Sequence, residues 1–152
     1  MMELLQTYKY TWKMLDEDVE TILTYVDLSK YDMLVGIASG GLPLLTKLVH
    51  KNKISYEIIK CNSYEGREQR CKAITIDYPI LPPNSKILLV DDVADTGKTL
   101  NNIIEHYTKC NMKIEEVKID ILTLCWKPHS IVNPKWYLHK VDNKVWINFP
   151  WE

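Results

Sequence analysis

Residues 88–99 read LLVDDVADTGKT, a short apolar run that ends on two adjacent acids and leads into Asp-Thr-Gly-Lys-Thr. Charge beside a buried strand costs free energy unless a partner or a ligand offsets it. One interpretation is a strand-to-helix turn in which Asp95 or Thr96 caps the helix and Gly97 eases the bend. That interpretation explains the turn, but it does not use the two adjacent acids together, since neighbouring residues of a strand point to opposite faces.

The end of the stretch also matches part of a nucleotide-binding P-loop, because Gly97-Lys98-Thr99 is the end of that motif. The motif requires a glycine five residues before Gly97, and this position is Asp92. An acid there repels the phosphates that the loop should hold. The pattern therefore argues against a P-loop.

A phosphorylated ribose accounts for every polar residue of the stretch. Asp91 and Asp92 can accept hydrogen bonds from vicinal hydroxyls and can hold Mg²⁺ directly or through its waters. The turn at 95–99 offers backbone N–H groups, the hydroxyls of Thr96 and Thr99 and a helix N-terminus to a phosphate. The residues themselves thus predict a sugar-phosphate site.

The composition is typical of one globular domain. The 152 residues are 46% hydrophobic and 26% charged, with a net charge of -1. That length suffices for one core, and the near-neutral charge argues against a dedicated nucleic-acid binder. Widely spaced cysteines without a CxxC pair, no secretion signal and no run long enough to span a bilayer predict reduced thiols in a cytoplasmic protein.

Apolar patterning predicts strands that alternate with helices. The predicted strands are 32–38, 55–61, 86–92 and 117–126, with short extended pieces after 135. The predicted helices start at Thr11, at 42 and at Thr96-Gly97. This order indicates an α/β fold with a mostly parallel sheet, whose ligands bind beyond the carboxyl ends of the strands. Both Ser39-Gly40-Gly41 and the two adjacent acids fall at that edge.

The opening stretch resembles a known family signature. An apolar strand followed by DD-x-x-DTG-x-T is similar to the 5-phosphoribosyl-1-pyrophosphate (PRPP) signature of the type I phosphoribosyltransferases. The resemblance extends to the small xanthine-guanine phosphoribosyltransferases through Trp12, Lys127-Pro128 and WINFPWE at 146–152. It implies the type I fold, a mostly parallel twisted sheet flanked by helices, in a single domain over 1–152 with a small N- and C-terminal hood contributed by about 126–152.

In that family, the turn after the first core strand binds pyrophosphate, commonly through Arg-Gly-Gly. Here the matching residues are Ser39, Gly40 and Gly41. The glycines allow close backbone approach to a phosphate, but Ser39 stands where a bidentate cationic donor is expected. An ordinary glycine-rich turn remains the alternative.

A polar stretch at 62–73 resembles the family's flexible loop, which closes over the site and carries Ser63-Tyr64. Arg67 and Arg70 are candidates to meet pyrophosphate oxygens, and Arg70 matches the family's basic position better. Closing such a loop excludes water from a reactive intermediate. A solvated loop with scattered charges is the alternative.

The resemblance also assigns the residues around the base. Lys127 is a donor only, so beside a base edge it selects an acceptor such as a 6-oxo oxygen, although a lysine there is often merely solvated. Trp146 offers an aromatic platform to a purine, with core or dimer packing as alternatives. Backbone groups around Ile147 would read the other edge, and Glu152 would lie near the exocyclic 2-position. The four histidines lack metal-ligand spacing and are expected at the surface or in an interface.

The implied reaction transfers phosphoribosyl from PRPP to a 6-oxopurine (guanine, hypoxanthine or xanthine) and releases pyrophosphate. Mg²⁺ is the implied cofactor, with Asp91 and Asp92 as its ligands. Asp95 is the implied catalytic acid, which accepts or relays the proton of N7. The family implies a homodimer or homotetramer, with no nucleic-acid or membrane partner. A non-catalytic sensor of PRPP or nucleotides with the same fold, and a phosphoribosyltransferase for another base, stay open as alternatives.

Overall fold

The computed structural model describes residues 6–63, 74–109 and 116–152. The strands are β1 (Thr7–Lys9), β2 (Met33–Ala38), β3 (Tyr56–Ser63), β4 (Ile74–Asp77), β5 (Lys86–Ala94), β6 (Lys118–Trp126), β7 (Trp136–Lys140) and β8 (Trp146–Asn148). The helices are α1 (Trp12–Tyr25), α2 (Leu42–Asn52) and α3 (Lys98–Lys109), with a 3₁₀ turn at Leu28–Lys30.

Six of the strands form one sheet in the order β4-β3-β2-β5-β6-β7. Its neighbours are parallel except for the antiparallel pair β3 and β4. Parallel strands require helical crossovers, which cover the faces of the sheet. The predicted α/β class with a mostly parallel sheet is therefore confirmed.

Helices bury both faces of this sheet. On one face, Leu15 of α1 and Leu44 of α2 pack in one cluster with Leu88 of β5. On the other face, Ile103 of α3 packs with Leu89. Because β5 is covered on both sides, its first part is a continuous apolar run, and this is why the sequence identifies it so clearly.

The helix starts follow local chemistry. The side chain of Thr11 accepts a hydrogen bond from the N–H of Met14 over 3.1 Å, as predicted for the N-cap of α1. The helix then buries Leu15, Val19 and Ile22, which lie on one face at helical spacing. Among the described residues, no helix is both long and apolar enough to cross a membrane.

A second, two-stranded sheet joins residues from the two ends of the sequence. β1 pairs in parallel with β8, with Thr7 opposite Trp146. The N–H of Tyr10 extends this ladder by donating to the carbonyl oxygen of Asn148 over 3.0 Å. This sheet positions the C-terminal residues near the edge that carries the polar motifs.

Two strand ends were predicted wrongly, and the strand β4 was not predicted. β5 does not end at Asp92, because it stays paired with β6 as far as Ala94, opposite Trp126. β3 includes two residues that were predicted as loop, and β4 was predicted as neither strand nor helix. The antiparallel pairing of β4 with the end of β3 explains both errors, since each strand segment supplies the other with hydrogen-bond partners.

Candidate active site

The glycine turn after β2 lies directly against the end of β5. A Cβ placed on Gly40 would be 2.4 Å from Oδ2 of Asp92, and one on Gly41 would be 2.5 Å from the carbonyl oxygen of Val90. Larger residues would push the turn away from the strand. The two glycines therefore bring the start of α2 next to the acidic end of β5. The peptide bond between Ala38 and Ser39 is cis, and Ser39 is exposed.

Asp92 is a buried acid, and its neighbour Asp91 is half-buried. Asp92 is 7% exposed, and its backbone N–H donates to Oδ1 of Asp91 over 2.9 Å. Burial raises the pKa of Asp92, and burial together with the neighbouring charge of Asp92 raises the pKa of Asp91 well above its usual range. In the described ranges, neither carboxylate forms an ion pair with a Lys, Arg or His. Among the described residues, no basic side chain therefore compensates their negative charge.

This pair of carboxylates has the chemistry of a shared cation site. Mg²⁺ is commonly held by one or two carboxylates, with the rest of its shell supplied by water and substrate phosphates. The described part of the chain holds no cluster of three or more His, Cys, Asp or Glu side chains that would bind a metal alone. Asp91 and Asp92 therefore fit a hard cation only together with oxygens of a ligand.

The turn at 95–99 exposes the N-terminus of α3. Gly97 has φ 79°, and a Cβ on it would be 2.5 Å from Oγ of Ser130, so only glycine suits this bend. The N–H of Lys98 points to Oγ1 of Thr96 over 3.4 Å, which is too long for a strong cap. The first N–H groups of α3, around Thr99, have no partners within the helix and can serve an anion.

Asp95 holds a different basic partner on each of its oxygens. Nζ of Lys127 lies 3.2 Å from Oδ2, and Nε2 of His129 lies 2.7 Å from Oδ1. The side chain of Lys127 is only 7% exposed, whereas that of Asp95 is 46% exposed. Lys127 is therefore not a solvated surface lysine. The adjacent strand ends of β5 and β6 bring this trio together.

The sequence interpretation missed the place of His129 in this trio. It lies two residues after Lys127, in the turn that follows β6. Because β5 and β6 are parallel neighbours, the turn after β6 lies beside the turn after β5, and this adjacency could have indicated a contact with Asp95. Because its pairing partner Asp95 is distant in sequence, spacing alone did not reveal the contact. The expected surface position of His129 is confirmed, because its side chain is 39% exposed, but its contact with Asp95 was not predicted.

The C-terminal residues reach the same acidic edge. Nε1–H of Trp151 donates to Oδ2 of Asp92 over 3.3 Å, and the indole ring stacks on Phe149. The pKa of Glu152 is raised by burial and by the charge of Asp92. The contact of Trp151 was also missed, since both late tryptophans lie far from β5 in sequence.

Trp146 and Ile147 lie on β8. Trp146 is 59% exposed and Ile147 is 6% exposed. Core packing is thereby excluded for Trp146, while its ring remains available to a ligand or a partner chain. No described hydrogen bond or ring contact joins Trp146 to Asp95 or Lys127, so its role in the site stays a prediction.

The predicted closing loop lies largely beyond what the structure describes. Ser63 ends β3, but Tyr64, Arg67 and Arg70 fall outside the described residues. The pyrophosphate role predicted for Arg70 therefore stays a prediction.

Residues 11–152 match the phosphoribosyl transferase domain family, and the chain belongs to this family. A xanthine-guanine phosphoribosyltransferase of Chromohalobacter salexigens is 26% identical over 150 residues, which cover 97% of this chain and 85% of that protein. A hypoxanthine-guanine phosphoribosyltransferase of Streptococcus pneumoniae is 29% identical over 107 residues, which cover 68% of this chain and 57% of that protein. A purine phosphoribosyltransferase structure from Pyrococcus horikoshii matches with a TM-score of 0.79 at 31% identity, covering 97% of this chain and 94% of that chain. The type I fold and the family resemblance are confirmed.

Proposed function

We propose that this protein is a purine-salvage phosphoribosyltransferase that transfers the 5-phosphoribosyl group of PRPP to a 6-oxopurine. The observation that carries the proposal is the 3.2 Å pair of Lys127 Nζ and Asp95 Oδ2 at the carboxyl ends of β5 and β6. A 6-oxopurine presents O6 and N7 side by side on one edge. A buried ammonium beside a carboxylate matches that edge, with Lys127 donating to O6 and Asp95 accepting the proton from N7.

In the proposed reaction, the bond from C1 of the ribose to pyrophosphate breaks and a bond from C1 to a purine nitrogen forms. Pyrophosphate leaves with the bonding electron pair, and the proton lost by the base passes to Asp95. The transition state has oxocarbenium character, as in other glycosyl transfers. Asp91 and Asp92 accept hydrogen bonds from the ribose hydroxyls, and the 95–99 turn at the N-terminus of α3 holds the 5′-phosphate.

We assign Mg²⁺ as the cofactor, with Asp91 and Asp92 as its protein ligands. Two observations support this assignment: Asp92 is buried, and neither carboxylate has a basic partner among the described residues. Bound Mg²⁺ would offset the charge of both carboxylates. When bound, the ion supplies positive charge that neutralises the pyrophosphate oxygens. The assignment predicts that chelation of divalent cations abolishes turnover.

The base class is supported by the relatives, which are named for xanthine and guanine or for hypoxanthine and guanine. Stacking of the purine on the exposed ring of Trp146, with backbone groups around Ile147 at its other edge, completes the proposed base site. We also propose a cytoplasmic homodimer or homotetramer, since family members are usually of these sizes. The free thiols of Cys61 and Cys125 agree with a reducing compartment.

A second candidate is a non-catalytic PRPP or nucleotide sensor of the same fold. The observation that favours it is Ser39, an exposed uncharged residue where an arginine would clamp pyrophosphate. A sensor needs to bind PRPP without breaking its C1–O bond. The charged pair at Asp95 and Lys127 favours the enzyme, because a sensor has no use for a proton acceptor at the base.

The test is a steady-state assay with PRPP and Mg²⁺, in which guanine, hypoxanthine, xanthine, adenine and uracil are offered separately. We expect turnover of at least one 6-oxopurine and a loss of about 10²-fold or more in kcat for Asp95→Asn, since a positioned acid or base contributes that much. No turnover of any base, with PRPP still binding by calorimetry, would establish the sensor instead.

A further inference from the structure

We propose that His129 is a positioning residue that fixes the carboxylate of Asp95 for proton transfer. Nε2 of His129 lies 2.7 Å from Oδ1 of Asp95, whereas Lys127 occupies the other oxygen. The inference rests on the proposed function, in which Asp95 accepts a proton from the base. The proposed function gives His129 no role, and the inference adds one: orienting the carboxylate of Asp95.

The backbone around His129 is fixed with respect to Asp95 on both sides. The N–H of Lys127 donates to the carbonyl oxygen of Ala94, and the N–H of Ile131 donates to that of Thr96. These two bonds, of 3.0 and 2.9 Å, flank Asp95 in sequence. The turn that carries His129 is therefore joined to the residues immediately before and after the carboxylate.

A further contact fixes His129 itself. Its backbone N–H donates to Oδ1 of Asn143 over 2.9 Å, so the start of its side chain is held as well. The next residue, Ser130, closes the turn with its own backbone and side-chain bonds to Lys127 and Val132. The turn thus holds the backbone of His129 in place, and the short contact of its side chain with Asp95 follows from that position.

The chemistry requires such a partner because a carboxylate has two equivalent oxygens on a rotatable bond. Lys127 contacts only Oδ2 of Asp95, and its ammonium would also donate to the 6-oxo oxygen once the base binds, so a second donor on Oδ1 restricts the rotation further. A donor from His129 to Oδ1 holds one oxygen permanently and leaves Oδ2 directed to the edge where Lys127 and the base meet. Both the neutral Nε2–H tautomer and the imidazolium can make this bond.

Three variants separate this role from simple packing. His129→Leu removes the donor, whereas His129→Gln keeps an N–H the same number of bonds from Cα. His50→Leu, at an exposed site on α2, is the matched control. With PRPP, Mg²⁺ and the best 6-oxopurine, we expect His129→Leu to lower kcat by about 10- to 100-fold, as misplacement of a catalytic group does.

Several readouts distinguish positioning from structural damage. The KM for PRPP should change little, since His129 contacts the side chain of Asp95, whereas the proposed phosphate donors are the backbone N–H groups and hydroxyls of the 95–99 turn. His129→Gln should recover most of kcat, and added imidazole should partly rescue His129→Ala. In the Asp95→Asn background, His129→Leu should have little further effect, because both changes disable one unit. Thermal unfolding of each variant verifies that it folds.

Two results would overturn the inference and leave the proposed function intact. One is an unchanged kcat in His129→Leu while Asp95→Asn loses turnover. The other is an equal loss in the Gln and Leu variants, with raised KM for PRPP, which would indicate a packing role. Full activity of Asp95→Asn, or no turnover of any base by the unmodified protein, would contradict the assignment of Asp95 or the reaction, and the role of His129 with it.

Discussion

Trp151 donates its indole N–H to Oδ2 of Asp92 over 3.3 Å, so a residue late in the sequence holds one of the two acids on β5. This hydrogen bond favours the ionised carboxylate and lowers the pKa of Asp92 against the larger, opposing effect of burial. The relationship joins the C-terminal residues to the proposed ribose and cation site. The contribution of this hydrogen bond to the free energy of unfolding can be measured without a bound substrate.

Replacing Trp151 by Phe should destabilise the protein at neutral pH. The change keeps the ring stacked on Phe149 but leaves a buried oxygen of Asp92 without its donor, at a cost of about 1 kcal/mol. The free energy of unfolding in urea at pH 7 measures this cost. Trp146→Phe is the matched control, because Trp146 is 59% exposed. Equal losses in the two variants would show that the hydrogen bond contributes nothing.

Asp91→Asn should change how stability depends on pH. Burial and the charge of Asp92 raise the pKa of Asp91 in the folded protein well above its usual range. Below the usual carboxyl range this group is protonated in both states, and its contribution to stability is complete. As the pH rises from there through the raised pKa, the unfolded chain loses the proton first, so the free energy of unfolding falls.

The neutral side chain of Asn removes that fall. We expect Asp91→Asn to be more stable than the unmodified, ligand-free protein at pH 7, by an amount on the order of 1 kcal/mol, and to lose the advantage near pH 4. Urea unfolding across this range is the measurement, with the exposed Asp77→Asn as control. A constant difference between variant and parent at all pH values would argue against a raised pKa.

Ser39→Arg should strengthen binding of pyrophosphate. Ser39 is exposed in the turn that faces Asp92, and an arginine there adds a bidentate cationic donor. We expect the Kd for pyrophosphate in the presence of Mg²⁺, measured by calorimetry, to fall about tenfold, the result of roughly 1.4 kcal/mol. Ser55→Arg adds the same charge just before β3, at the opposite edge of the sheet. Equal tightening in both variants would indicate a general charge effect.

Much of the fold could be predicted from local sequence patterns. The buried strand β5 is a continuous apolar run, and Thr11 caps α1 as its type and position indicate. Short β1 and β4 could not be predicted, because each is defined by its partner strand rather than by its own residues. Strands that depend on a partner distant in sequence therefore cannot be predicted from their own residues alone.

Part of the candidate site could likewise be predicted from the sequence, and part could not. The acids and glycines at the strand ends were identifiable, since parallel strands bring their carboxyl ends to one edge. The contacts of His129 with Asp95 and of Trp151 with Asp92 could not be predicted, because they depend on how separate turns meet in three dimensions. Sequence chemistry therefore identified the types of groups at the site but not their partners.

The most direct test of the central claim is the ratio of kcat/KM for hypoxanthine to that for adenine, measured with PRPP and Mg²⁺. The two bases differ at position 6, where in the proposed site Lys127 would donate to an oxo group but would offer no acceptor to a 6-amino group. We predict a ratio above about 10², as expected when a buried donor loses its partner, and a collapse of this ratio in Lys127→Met. A ratio near one, a preference for adenine, or no transfer to either base or to guanine and xanthine would contradict the account.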